Sequence, residues 1–350
     1  MKAAAVTKMG RLNDPDLEKR GRVEVIDHPD PVLGDDEVKI RVAYCSICGS
    51  DPHLSEGLFG REPPLFIGHE MSGIIEELGK DATIKGLKVG DKVGCNFVHF
   101  CGTCWFCQNA MQQFCTGRRR RYGPGMAEYV CWNESMVYKL PDEISLKNGC
   151  LLEPVSVSVR AMDKLNNNYG ARVLINGGGP IGQLSLQGAK LRGAADLTMV
   201  EPIAERRELA KRFGARHVID PFNQNLYEEV MKITEGRGFE FIADLSGSAA
   251  AAPGLLDLAC RGGTILYGSM YPDGYELPVN LLTRLYRQEL TLKGFLISPY
   301  AFPRSVQIIK ELDLDPLTEC VFDLKDAAAA FDMHMSGKYP KVLVRCNDLD

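Results

Sequence analysis

The stretch Val173-Leu-Ile-Asn-Gly177-Gly178-Gly179-Pro180-Ile181-Gly182 decides the fold. Arg172-Val-Leu-Ile175 is continuously apolar in its centre, as a strand buried on both faces must be. Pro180 to Leu191 reads as a helix. Between them, Gly177, Gly179 and Gly182 make a G-x-G-x-x-G turn. A glycine-rich turn is common by itself, but between a strand and a helix it points to a dinucleotide. Gly177 permits the tight turn, Gly179 lets backbone approach a pyrophosphate, and Gly182 allows close helix–strand packing. The helix N-terminus then faces the phosphates. Gly177, Gly179, Pro180, Ile181 and Gly182 are therefore the candidate cofactor contacts. Glu201 follows Gly182 by nineteen residues, at the end of the next predicted strand. A carboxylate there can accept hydrogen bonds from the adenosine ribose hydroxyls and repels a 2′-phosphate, which favours NAD over NADP. Arg206 and Arg207 could hold that extra phosphate, but they read as a solvated helix face.

Working outward, Leu197-Thr-Met-Val200, His217-Val-Ile219, Glu240-Phe-Ile-Ala243 and Gly263-Thr-Ile-Leu-Tyr267 continue the strand pattern, with a helix over 205–213. Repeated β-α units imply a parallel, doubly wound α/β sheet. The alternation fades after about Leu290. The first 150 residues read instead as β-rich. Glu37-Val-Lys-Ile-Arg-Val-Ala-Tyr44 alternates apolar and polar residues, as a half-buried strand does. Ser72-Gly-Ile-Ile-Glu-Glu-Leu78 and Ala127-Glu-Tyr-Val-Cys-Trp132 are further strands, closely punctuated by Gly and Pro. The character changes near Glu153-Pro154, and 350 residues suffice for two domains with their own cores.

Five of the twelve cysteines fall between Cys95 and Cys115. Cys101, Cys104, Cys107 and Cys115 are spaced by three, three and eight, so their thiolates can converge on one tetrahedral zinc. Buried free thiols are the bland alternative, but four within fifteen residues favour metal. Four thiolates close the shell, so the expected role is structural. A second constellation is dispersed: Cys48-Gly-Ser50-Asp51-Pro-His53, then Gly68-His69-Glu70, then Glu153-Pro154. One cysteine, one histidine and one carboxylate could hold a zinc with a position left for water or substrate. Cys45 and Cys48 also spell a C-x-x-C, but a thioredoxin-like redox motif sits in its own βαβ context, whereas this one ends an amphipathic strand.

In this combination and order, the motifs resemble the zinc-containing medium-chain alcohol dehydrogenases over nearly the whole chain. The resemblance implies a β-rich catalytic domain related to the chaperonin-10 barrel, over 1–154 and 296–350, interrupted by a Rossmann domain over 155–295. It implies two zincs per subunit, one catalytic and one structural, with NAD as cofactor. Cys48 and His69 correspond to catalytic-zinc ligands, and Glu70 to the adjacent acid that can ligate or exchange with water. Glu153-Pro154 looks like the sorbitol dehydrogenase branch, where the glutamate ligates zinc directly or through water. The liver alcohol dehydrogenase branch has a cysteine there. Ser50 and His53 match positions that relay the substrate proton. The expected reaction is hydride transfer from a secondary hydroxyl of a polyol, sugar derivative or polyol phosphate to NAD.

Departures from the pattern bear on the substrate. The stretch Gly294-Phe-Leu-Ile-Ser-Pro-Tyr300 lacks an arginine that sorbitol dehydrogenases tend to carry, which argues against sorbitol itself. Gly117-Arg-Arg-Arg-Arg121-Tyr-Gly is somewhat similar to the arginine loop of galactitol phosphate dehydrogenase and could bind a phosphate. A solvated loop or subunit contact is the simpler reading. Threonine dehydrogenases share the zinc motifs but tend to carry Asp-Pro at 153–154. A non-catalytic zinc- and NAD-binding sensor or structural protein would tend to lose ligands, whereas Cys48, His69, Glu70 and Glu153 are all retained. The net charge of −5 provides no global field for nucleic acid or anionic membrane. No apolar run reaches the roughly 20 residues that span a bilayer. The expectation is a cytoplasmic homotetramer or homodimer acting on a small molecule.

Overall fold

The computed structural model describes residues 1–57, 60–120 and 123–349. The chain forms two compact units: Met1–Glu153 with Phe302–Asp350, and Pro154–Ala301.

The first unit is built on largely antiparallel sheets, with one parallel pair between Val321–Asp323 and Leu343–Arg345. Arg22–Asp27, Lys2–Lys8 and Leu65–Phe66 form a three-stranded sheet in that order. In the larger sheet, Glu37–Ser46 is central and pairs antiparallel with Glu70–Leu78, Tyr129–Asn133 and Leu343–Arg345. Its burial explains the sequence pattern. Val38, Ile40 and Val42 alternate with partly exposed polar residues, but Val42 to Ser46 is buried on both faces. The register sets Ser46 opposite both Glu70 and Leu343. Residues just beyond these strand ends therefore meet at one place, although they come from remote parts of the chain. A one-residue slip would turn each side chain to the opposite face.

The second unit is a six-stranded, all-parallel sheet in the order His217–Ile219, Asp196–Val200, Arg172–Asn176, Phe239–Asp244, Ala259–Tyr267, Thr291–Gly294. This is the doubly wound order, and it reverses between Arg172–Asn176 and Phe239–Asp244. Leu174, Val200, Ile219, Phe239, Ile242 and Ile265 fill one core cluster. The final strand, Thr291–Gly294, lies where the sequence alternation fades. A helix over Leu226–Ile233, capped by the Asn225 side chain on the Glu228 amide, was not anticipated either. The return to the first unit comes at Phe302 rather than at the expected 296. The intervening segment belongs to the sheet unit: Phe295 lies against Gly268, and Ser298 Oγ accepts a 2.7 Å hydrogen bond from Ser156 Oγ.

Candidate active site and metal centres

Cys101, Cys104, Cys107 and Cys115 bring their sulfurs within 4.8 Å of one another. Cys101 Sγ lies 3.4 Å from Cys115 Sγ and 4.0 Å from Cys107 Sγ. A tetrahedron with metal–sulfur bonds of about 2.3 Å has edges of about 3.8 Å, so these spacings suit one zinc. They are far longer than a disulfide of about 2.05 Å. The lobe is folded by a short helix, Trp105–Gln108, and closed by pairing of Val98–His99 with Arg119–Arg120. Backbone amides prepare it for anions. The Cys104 and Thr103 amides pull the Cys101 thiol down to about 5. Burial, then Cys115, pushes Cys107 up to about 12. Thiols this close cannot all ionise until a cation offsets them.

The second site forms at the strand ends. Cys48, His69 and Glu70 each offer a ligand atom within 4.8 Å of the others. Asp51, fully buried on the short Ser50–Ser55 helix, organises two of them. Its Oδ1 lies 3.3 Å from His69 Nδ1, and its Oδ2 accepts from the Cys48 amide at 2.9 Å. A histidine held by a carboxylate through one nitrogen presents the other to a metal. Phe97 packs on the imidazole at 4.8 Å. Burial depresses the His69 imidazole's pKa, but the charges of Asp51 and Cys48 outweigh it and raise the net value.

Glu70 is held firmly. Its Oε2 accepts from Ser46 Oγ and from the ammonium of Lys341. Lys341 is only 3% exposed, and its Nζ also donates to the Ile47 carbonyl at 2.9 Å. Glu153, in the first turn of the Leu152–Leu165 helix, is buried and electrostatically coupled to His69, Glu70 and Lys341. Burial pushes its carboxyl up to about 7. Its carboxylate stands outside the tight three-residue group, as a neighbour of the cluster. The thiolate, imidazole and carboxylate set fits a zinc that keeps a position open. Ser50 is half-buried at the start of its helix. His53 is exposed on the same helix, with Nδ1 3.1 Å from Glu56 Oε2.

Asp51, Ser46 and Lys341 were not singled out from sequence. Asp51 lies within the Cys48–His53 motif, and the need of a metal-binding His69 for an orienting carboxylate is the signal that points to it. Lys341 lies 294 positions from Ile47 and carried no local signal.

The second unit holds a cavity of about 580 Å³ lined by Asn176, Gly177, Gly179, Glu201, Arg206 and Ser246, among others. Gly177 turns at φ +101°, and a Cβ there would strike the Ser246 backbone. A Cβ on Gly182 would collide with the Gly177 carbonyl. Gly179 caps the Pro180–Leu191 helix with open space beside its Cα, where a phosphate can approach. Pro180 and Ile181 form the helix's first turn. Glu201 is buried and braces the turn, Oε2 accepting from the Gly178 amide at 2.6 Å and Oε1 from the Ile203 amide at 2.9 Å. The two arginines are not simply solvated. Arg206 lines the cavity. Arg207 Nη1 donates to the carbonyls of Glu201 and Pro202, and its Nη2 pairs with Asp220 at 3.0 Å. In the arginine run, Arg118 is committed to the Gln113 carbonyl. Arg121 and Tyr122 lie outside the described residues.

Residues 34–142 match the alcohol dehydrogenase GroES-like domain, and residues 180–311 match the zinc-binding dehydrogenase family. The chain is 31% identical to D-arabitol-phosphate dehydrogenase of Enterococcus avium, over 92% of this chain and 93% of that one. It is 32% identical to L-threonine 3-dehydrogenase of Pyrococcus horikoshii, over 91% and 94% respectively. A putative zinc-binding dehydrogenase from Clostridium scindens superposes with a TM-score of 0.92 at 31% identity, covering 99% of each chain. The chain belongs to the zinc-dependent medium-chain alcohol dehydrogenases. It is an oxidoreductase acting on CH–OH groups, of a family that uses zinc and a nicotinamide dinucleotide. No helix among the described residues is long and apolar enough to cross a membrane.

Proposed function

We propose that the protein oxidises a secondary hydroxyl of a polyol, sugar derivative or polyol phosphate and passes the hydride to NAD. The observation that carries this reading is the convergence of Cys48, His69 and Glu70, with Glu153 beside them. When bound, zinc supplies Lewis acidity to the substrate hydroxyl and the nicotinamide accepts the hydride. Cys48, His69, Glu70 and Glu153 are the ligand candidates for that zinc, Glu70 or Glu153 acting directly or through water. Asp51 fixes the His69 tautomer, while Ser46 and Lys341 restrain one Glu70 oxygen. Ser50 takes the proton leaving the hydroxyl and His53 hands it to solvent, the exposed imidazole suiting the outer end of that relay. Cys101, Cys104, Cys107 and Cys115 hold a structural zinc.

The arabitol-phosphate relative supports a polyol or polyol phosphate, and Glu153-Pro154 supports the same branch. Glu201 in the cavity wall supports NAD over NADP, with Arg206 as the competing influence. A threonine or simple-alcohol substrate is the second reading, favoured by the threonine dehydrogenase relative. We read the protein as a homotetramer or homodimer. Thr291–Gly294 is an edge strand, and Leu281, Leu282 and Tyr286 are exposed on the preceding helix. The same reading places it in a reducing cytoplasm, where thiolates persist as metal ligands.

The test is NADH appearance from zinc-loaded protein with polyols, polyol phosphates, sugar acids, L-threonine and 2-propanol. Turnover led by a polyol or its phosphate supports the proposal. Turnover led by threonine or 2-propanol replaces it with the second reading.

A further inference from the structure

Asp244 ends the Phe239–Asp244 strand and is fully buried. Its carboxylate accepts four hydrogen bonds. Asn176 Nδ2 at 2.9 Å, the Ser246 amide at 3.1 Å and Ser246 Oγ at 2.7 Å reach Oδ1. The Tyr271 hydroxyl reaches Oδ2 at 2.6 Å. All four partners can donate, which matches an acceptor-only carboxylate. The backbone follows the same plan: the Leu245 amide donates to the Asn176 carbonyl, and the Gly268 amide to the Asp244 carbonyl.

The location gives this network its meaning. Asn176, Asp244 and Tyr267 stand side by side in the parallel register, at the carboxyl ends of three adjacent strands. The first two flank the point where the strand order reverses, and open parallel sheets bind ligands outside that point. Asn176 and Ser246 line the cavity beside Gly177 and Gly179. The glycine-rich turn rests on the same segment, because a Cβ on Gly177 would lie 2.7 Å from Ser246 Cα. On the far side, Tyr271 sits between the rings of Tyr267 and Tyr275, at 6.3 and 5.8 Å. Its bond to Asp244 ties the turn after the Ala259–Tyr267 strand to the sheet.

We propose that Asp244 is a positioning residue for the dinucleotide, acting through Asn176, Ser246 and Tyr271 to fix the cavity floor and the seat of the Gly177 turn. The inference rests on reading the cavity as the dinucleotide site. A buried charge is costly unless fully hydrogen-bonded. Here one carboxylate satisfies donors from three strand ends at once, which no single backbone group could do.

The test uses full-length, zinc-loaded protein and measures NADH affinity by fluorescence, ADP-ribose affinity by competition, melting temperature and zinc content. Asp244→Ala takes the acceptor from all four donors at once and should weaken NADH and ADP-ribose by at least about tenfold. Asp244→Asn should recover most of that affinity. Its carbonyl can still accept from Asn176 and Ser246, and its amide can donate to the Tyr271 hydroxyl. Tyr271→Phe removes only the Oδ2 partner and should weaken NADH by about threefold. Zinc content should stay at the parental level throughout. A lowered melting temperature with parental NADH affinity in Asp244→Ala means a merely structural carboxylate and overturns the inference. Should that variant not fold, parental affinity in Tyr271→Phe overturns it equally. Failure of the parent protein itself to bind NADH or ADP-ribose is a different result, which rejects the dinucleotide reading of the cavity.

Discussion

Replacing Lys341 with methionine isolates the part of the metal centre that local sequence conceals. Methionine keeps much of the apolar stem and removes the ammonium. In the parent, that ammonium is buried against Glu70 Oε2 and the Ile47 carbonyl. Removing one partner of a buried ion pair costs about 3–5 kcal/mol, because the other charge is left behind. Glu70 keeps its bond from Ser46 Oγ, so the lower end applies, about 3 kcal/mol, or about 6–12 °C in melting temperature for a unit of this size. That figure belongs to metal-free protein. A bound cation offsets the same carboxylate, so zinc-loaded protein should lose less. The stabilisation on adding zinc should therefore be larger in Lys341→Met than in the parent. Burial lowers the Lys341 pKa, but Glu70 and Cys48 outweigh it and hold the net value above 10.5. A raised lysine contributes stability that is complete below its ordinary pKa and lost only as pH climbs through the folded value. Glu153, beside the same ammonium, becomes charged as pH rises through about 7, so the loss in Lys341→Met should be larger at about pH 8 than at about pH 6. Differential scanning calorimetry with and without chelator is the assay. Melting within about 2 °C of the parent in both states would refute the buried Glu70–Lys341 pair.

Four further outcomes are expected. Glu153 has a raised folded pKa, so its contribution is present at acidic pH and lost as pH rises through about 7. Metal-free parent should thus lose stability between about pH 5 and 8, and Glu153→Gln should flatten that slope; an unchanged slope assigns it elsewhere. In zinc-loaded protein the same change should lower turnover by at least about tenfold while NADH affinity stays parental, and parental kcat would remove Glu153 from the site. Cys104→Ser should release about one zinc per chain and lower the melting temperature, and retention of full zinc would contradict a structural tetrathiolate. Glu201→Ala should narrow the NAD-to-NADP ratio of kcat/KM by at least about tenfold, and an unaltered ratio would move cofactor choice to other cavity residues such as Arg206.

The amino-acid sequence by itself determined the features whose geometry closes within a few residues. The four-cysteine lobe spans fifteen positions, so spacing alone nearly dictates that the sulfurs meet. The Gly177–Gly182 turn is equally local, because its strand, glycines and helix are consecutive. The β-α alternation named the parallel sheet, since strands buried on both faces are written as continuous apolar runs. Thr291–Gly294 escaped this reading because only its inner pair is even partly buried, and an edge strand needs no such run. Tertiary structure alone decided what surrounds the reactive groups. Sheet register, not spacing, sets Ser46 against Glu70 and carries Lys341 to the same carboxylate. Folding also gave Asp51 to His69, committed both Glu201 oxygens to backbone amides, and gathered four donors around Asp244. Most of these contacts join residues far apart in the chain, although Ile203 and Ser246 reach their acceptors from two positions away. Their cost or benefit appears only when strands pair and water is excluded, so no local pattern records them.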